Sequence, residues 1–163
     1  MNRPVNGLLL SLIVAVTLVA CGKKEEKAPA ASAGSDPLMV KIGAASPLTG
    51  PQAHIGIDIR NGTQLGVDDG NAAGLEIGGR KVRLELIAED DEANPTKATT
   101  VAQKLVDAKV VAVVGHFNSG ASIPASKIYS DAGIVQISPG STNPKYTQQG
   151  LSLIHISEPT RPY

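Results

Sequence analysis

The sequence predicts an α/β fold: a doubly wound, parallel sheet with helices on both faces, present here only in part. Three observations carry this. Short apolar runs alternate with longer stretches of helical spacing from Met39 onward, which is the pattern of a sheet built from β-α-β units with right-handed crossovers. The run Lys109–Gly115 (KVVAVVG) is apolar and β-branched through its middle, as suits a strand buried on both faces. Between the runs lie loops of Ser, Gly, Pro, Asn and Thr, which are turn chemistry rather than element interiors.

Taken in order, Met39–Ala45 (MVKIGAA) reads as the first buried strand, and Ser46–Pro51 as the turn after it. From Ile55 to Asn71 the apolar positions Ile55, Ile59, Leu65 and Val67 are loosely helical, and residues 71–81 read as a Gly-rich turn. Val82–Ala88 (VRLELIA) alternates apolar and charged residues, a strand signature. Asn94-Pro95 supplies a cap and a first-turn proline, and the helix it opens places Ala98, Val101, Ala102, Leu105 and Val106 on one face. Lys109–Gly115 is the third strand. Ser119–Ala132 is a helix whose Pro124 fits the first turn if the helix begins near Ser122 or Ile123. Ile134–Ile137 is the fourth strand, followed by the loop Ser138–Asn143 (SPGSTN).

Both ends are set aside from this fold. Leu8–Ala20 is a 13-residue run without charge, too short for a membrane span and right for a signal-peptide core. It ends in Leu18-Val19-Ala20-Cys21, which resembles a bacterial lipobox, with the chain's one cysteine at the position that takes lipid. Residues 1–20 are therefore expected to be a lipoprotein signal peptide. Residues 21–37 are expected to be a polar, lipid-anchored tether. This places the protein outside the cytosol, as a periplasmic or cell-surface lipoprotein held through Cys21. At the other end, Leu151–Arg161 (LSLIHISEPTR) resembles the translation of a sequencing-library adapter. Residues 151–163 are expected to be an artefact, so His155 and Glu158 enter no site argument. The partial lobe then runs over residues 38–150.

Composition excludes several functions. Fifteen basic residues balance fifteen acidic ones, which argues against a nucleic-acid partner. Aromatic residues are 2% of the chain, too few for base-stacking platforms. A single cysteine leaves no disulfide framework and no multi-cysteine zinc site. No phosphate-binding Gly-rich motif follows a strand, and no cofactor is expected. His54 and His116 could be two metal ligands, but nothing in their spacing demands it; no metal is expected, and His116 reads as structural, its ring bonding a neighbouring loop. The run Glu89–Glu92 reads as solvated charge near a helix start. No G-x-S-x-G elbow surrounds Ser119, so an exported hydrolase is a distant second class and no catalytic residue is expected.

Binding fits better. In wound sheets ligands sit beyond the carboxyl ends of the strands, and three loops there carry small polar residues: 46–56, 116–122 and 138–143. Ser119-Gly120-Ala121-Ser122 opens a helix, whose free N–H groups favour a carboxylate. Gly140-Ser141-Thr142 adds donors and acceptors, and the mixture suits a zwitterion.

The stretches KIGAASPLTGPQAHIG, GVDDGNAAGLEIGGRKVRLELIAEDDEANPTKA and VVAVVGHFNSGASIPASKIYSDAGIVQISPGSTNPKYTQQG resemble the type I periplasmic binding proteins, and within them the leucine/isoleucine/valine-binding proteins of ABC importers. The most specific pieces are Gly115-His116, Pro124-Ala125-Ser126 and Ser138-Pro139. The resemblance implies a Rossmann-like lobe, one of two that close on an amino acid, delivery to an ABC permease, and no chemistry on the ligand. It implies that Ser119 meets the carboxylate and that Gly140 (through its carbonyl), Ser141 and Thr142 meet carboxylate or ammonium. Ile55 and Phe117 fall where the family lines the side-chain pocket, and Asn118 is counted with the binding residues. Asn118 and Ala93 also match places where some relatives carry paired cysteines. An aromatic is common in relatives at the Ile55 position, so the preferred aliphatic side chain is open, and a short-amide or urea receptor or a sensor domain of the same fold is the alternative. The second lobe's pocket residues are not in this chain, which is therefore expected to show no measurable affinity for free amino acids by itself.

Overall fold

The computed structural model describes residues 36–151. The signal segment, Cys21, most of the tether, and residues 152–163 with His155 and Glu158 lie outside the described residues.

Five strands form a sheet in the order β2-β3-β1-β4-β5: β1 (Leu38–Ser46), β2 (Glu76–Ile77), β3 (Arg80–Asp90), β4 (Ala112–Gly115) and β5 (Val135–Ile137). All neighbours are parallel except β2 and β3. Helices α1 (Ala53–Ala72), α2 (Pro95–Asp107) and α3 (Ser119–Asp131) make the crossovers. The chain winds outward from β1 to β3, then returns past β1 to β4 and β5. The strand order thus reverses at β1 and β4, where wound sheets open a crevice at their carboxyl ends.

Alternation along the strands assigns the two faces. Gly43 and Ala45 of β1 face α2: a Cβ on Gly43 would sit 3.0 Å from Val113 and 3.3 Å from Leu105. That side holds the main core, with Ala45, Val101, Ala102, Leu105, Val110, Val113, Ala125, Tyr129 and Ile134. Each large apolar side chain buried there contributes roughly 1.5–3 kcal/mol before entropy is counted. The apolar face expected for α2 is the one it buries, through Ala98, Val101, Ala102 and Leu105, with Val106 packed alongside. Its start is as expected too: Asn94 accepts the N–H groups of Thr96 and Lys97, and Pro95 takes the first turn. On the other face Leu84 meets α1 beside Gly70, and the Ser46 hydroxyl donates to the Gly56 carbonyl at 3.0 Å. Over β4 and β5 that second face is thinly covered: Ile137 is 38% exposed, and Val114 and Val135 are half-buried.

The structure corrects four details. Residues 71–81 are not only a turn: Glu76–Ile77 pairs antiparallel with Arg80–Lys81. Gly78 and Gly79 both have positive φ (58° and 77°), the geometry a two-residue hairpin turn needs. The third strand begins at Ala112, because Lys109 sits at φ 60° and turns the chain out of α2. The helix after it begins at Ser119, as expected, and Pro124 lies inside α3 rather than in its first turn. The carbonyl it leaves without an in-helix donor is that of Gly120, an exposed residue that solvent can serve. The first strand, first helix and second strand each extend one or two residues beyond the expected bounds.

Candidate functional site

The carboxyl ends of β1, β4 and β5 adjoin, since Ala45 is in register with Gly115 and Val114 with Ile137. The loops that follow them therefore meet. Ser119 is the first residue of α3, and its Oγ accepts the N–H of Thr142 at 3.1 Å and that of Asn143 at 3.2 Å. This bond joins the two loops that the sequence marks as polar crowns, and it places a hydroxyl, a helix N-terminus and an exposed threonine together.

The other expected residues group around that bond. Asn118 caps α3 with its carbonyl, which accepts from Ala121 and Ser122 at 2.9 Å; its side chain makes no cap, and Oδ1 is buried without a partner among the described residues. Phe117 lies against Gly140, where an added Cβ would strike the ring. Ile55 stands half-buried in the first turn of α1, above the end of β1. Ser141 is placed differently from its neighbours. It is buried, its N–H donates to Ser138 Oγ at 2.9 Å, and its hydroxyl lies 2.6 Å from Ser122 Oγ and 2.7 Å from Ser138 Oγ. Both polar hydrogens of Ser141 are thus spent inside the lobe.

The acidic run Glu89–Glu92 is not a solvated patch throughout. Glu89 and Glu92 pair with Lys104 and Lys97 at 2.7 and 2.8 Å. Asp91 is fully buried, with Oδ2 2.7 Å from His116 Nδ1. His116 is a structural histidine whose ring bonds a neighbouring loop, and its Nε2 lies 3.2 Å from the Tyr129 hydroxyl. Burial, then the negative charge of Asp91, pushes the Tyr129 phenol well above the usual tyrosine range. Asp90, pointing to the opposite face, accepts the N–H of Leu48 (2.8 Å), the N–H of Glu92 (2.9 Å) and the Thr49 hydroxyl (2.6 Å). Burial raises its pKa, but these hydrogen bonds outweigh it and hold the carboxyl below its ordinary 3.8. The one sequence signal for both roles is alternation: strand β3 runs through Asp90, so Asp90 and Asp91 face opposite sides.

His54 is exposed on α1 while His116 is buried, so the two do not share a site. An open groove of about 490 Å³ lies between α1 and the early residues of β1 and β3, lined by Met39, Val67, Arg83 and Leu84 among others. It is at the amino ends of the strands, away from the Ser119–Thr142 junction.

Comparison with known proteins agrees with this geometry. The periplasmic binding protein family matches residues 39–158. An amino acid binding protein of Pseudomonas aeruginosa is 48% identical over 114 residues, covering 69% of this chain and 30% of that protein. A Leu/Ile/Val-binding protein homolog of Brucella abortus is 44% identical over 112 residues, covering 69% of this chain and 29% of its own length. Among solved structures, the branched-chain amino acid transporter substrate binding protein of Streptococcus pneumoniae, in complex with isoleucine, superposes with a TM-score of 0.62 at 36% identity, over 68% of this chain and 31% of that one. The chain spans about 30% of the length of the curated relatives it matches. Strand order, crossing loops and sequence lead to one assignment: this chain belongs to the periplasmic binding protein family.

Proposed function

We propose that the chain forms the larger part of one lobe of an extracytoplasmic receptor that captures branched-chain amino acids and delivers them to an ABC permease. The single observation that carries this reading is the Ser119–Thr142 junction, where loops from β4 and β5 meet at a helix N-terminus. In this reading the carboxylate takes the hydroxyls of Ser119 and Thr142, while the Thr142 N–H keeps Ser119 Oγ in place. The Gly140 carbonyl takes the ammonium, while Phe117 and Ile55 line the side-chain pocket and Asn118 backs it. Ser141 holds the loop from within. Charge-assisted hydrogen bonds are each worth roughly 1.5–3 kcal/mol net, so three or four supply most of the about 8 kcal/mol behind micromolar binding. The names of the relatives, Leu/Ile/Val-binding and amino acid binding, favour this ligand class over a short amide. Anchoring through Cys21 belongs to the same proposal, as does its place on the outer face of a membrane. No reaction is performed on the ligand.

The test is calorimetry on the full-length receptor with leucine, isoleucine, valine and acetamide. Micromolar or tighter binding of an aliphatic amino acid supports the reading. Binding of acetamide or urea alone replaces it, and ester turnover at Ser119 refutes it. Metabolic labelling with a fatty acid, compared between wild type and Cys21→Ala, tests the anchor.

A further inference from the structure

We infer that Asp91, His116 and Tyr129 are positioning residues for the binding loops: a buried hydrogen-bond relay that fixes the backbone of His116, from which the loop carrying Gly140 and Thr142 is hung.

All three side chains are fully buried. Asp91 opens the turn after β3, His116 follows β4, and Tyr129 lies in α3, so the relay ties three segments. In the proposed relay each proton has an assigned place. Tyr129 stays a neutral phenol, and its O–H donates to Nε2 of His116. A neutral imidazole has one acceptor and one donor nitrogen, so Nδ1–H donates to the Asp91 carboxylate. Asp91 Oδ1 also accepts the N–H of Ala93 at 2.9 Å, which anchors the acid in its own turn.

The held residue is the point from which the site is suspended. The His116 carbonyl lies 2.8 Å from Ser122 Oγ and 2.6 Å from Ser138 Oγ. Both of those hydroxyls touch Ser141 Oγ, which also reaches the Phe117 carbonyl at 3.3 Å. Ser122 belongs to the helix that begins with Ser119, and Ser141 stands between Gly140 and Thr142. A shift of the His116 backbone therefore moves both halves of the proposed site. A low-dielectric interior strengthens a fully paired network of this kind and makes a broken one costly, so the loops take one arrangement before any ligand arrives.

The inference rests on the proposed ligand site for its purpose, but its test needs no ligand. Long-range ¹H–¹⁵N spectra of the unmodified 163-residue chain at neutral pH report the His116 tautomer. The expected signature is a protonated Nδ1 and an unprotonated Nε2; the opposite tautomer or an imidazolium overturns the relay. Amide exchange is then compared between wild type and Tyr129→Phe, which keeps the ring and removes only the hydroxyl. Exchange at Ser141 and Thr142 should quicken about tenfold, the loss of one net hydrogen bond, while Ala44 and Val113 at the sheet centre keep their rates. Unchanged exchange at Ser141 and Thr142, or a uniform increase across the sheet, overturns the positioning role. In the full-length receptor, weaker leucine binding by Tyr129→Phe supports the inference, and unaltered binding despite loosened loops overturns its link to the site. Failure of the wild-type receptor to bind any amino acid counts against the proposed function instead.

Discussion

The side-chain amide of Asn71 pairs with both backbone groups of Leu84: Nδ2 donates to the carbonyl at 3.0 Å and Oδ1 accepts the N–H at 2.8 Å. Leu84 lies on β3 beyond the two-residue pairing with β2, so among the described residues no strand neighbours its outer edge. Asn71, at the end of α1, stands in for one.

Asn71→Ala is expected to lower stability by about 1–3 kcal/mol, the loss of two net hydrogen bonds to half-buried backbone groups. Urea unfolding measures it. Asn61→Ala, which removes only an exposed contact with Arg60, should stay within about 0.5 kcal/mol of wild type.

Asp90 makes stability depend on acid. Its folded pKa is held below 3.8, so its contribution is complete above the unfolded value and is lost as the pH falls through the folded one. Stability curves for wild type and Asp90→Asn should run parallel at neutral pH and converge in the range below 3.8. Parallel curves all the way down would remove Asp90 as the tie to Leu48 and Thr49.

Gly115 sits at φ 134°, where an added Cβ would run into the backbone carbonyl of Ala45. Gly115→Ala combines an unfavourable backbone with a clash against a rigid strand, and should cost at least about 3 kcal/mol. Gly62 in the middle of α1 faces open space, and Gly62→Ala should stabilise by up to about 1 kcal/mol. Thermal melts of the two variants should move in opposite directions.

Ser119→Ala in the full-length receptor should weaken leucine binding by about 10- to 150-fold, the loss of one charge-assisted hydrogen bond, with little change in melting temperature. Calorimetry decides it. An unchanged dissociation constant would take Ser119 out of the set of ligand contacts.

The order of strands and helices was legible because hydrophobic spacing is a local property: VRLELIA alternates, and the Ala98–Leu105 stripe recurs at helical intervals. The small hairpin also had a signal, Gly78-Gly79 between short β-capable pairs, that was read only as a turn. The start of α3 at Ser119 was legible, but not the place of Pro124: proline favours a first turn, and the bonds that begin the helix at Asn118 set Pro124 further inside. At the site, Ser119 and the loop after β5 stood out by composition, and the structure brings them together. The burial of Asp91 was not legible. Four acids in a row look solvated, and only the tertiary arrival of His116, 25 positions away along the chain, gives one of them a reason to be inside. Ser141 is the same case: its type suggests a ligand contact, while its partners Ser122 and Ser138 can be found only once the loops have been folded together.

Consecutive acids at the end of β3 have separate partners here. Asp90 latches the segment after β1 through Leu48 and Thr49, whereas Asp91 governs the opposite side through His116. For the receptor proposed above, adjacent codons therefore offer two adjustments: one acts on the segment after β1, the other on the residue beneath the loops of Ser119 and Thr142.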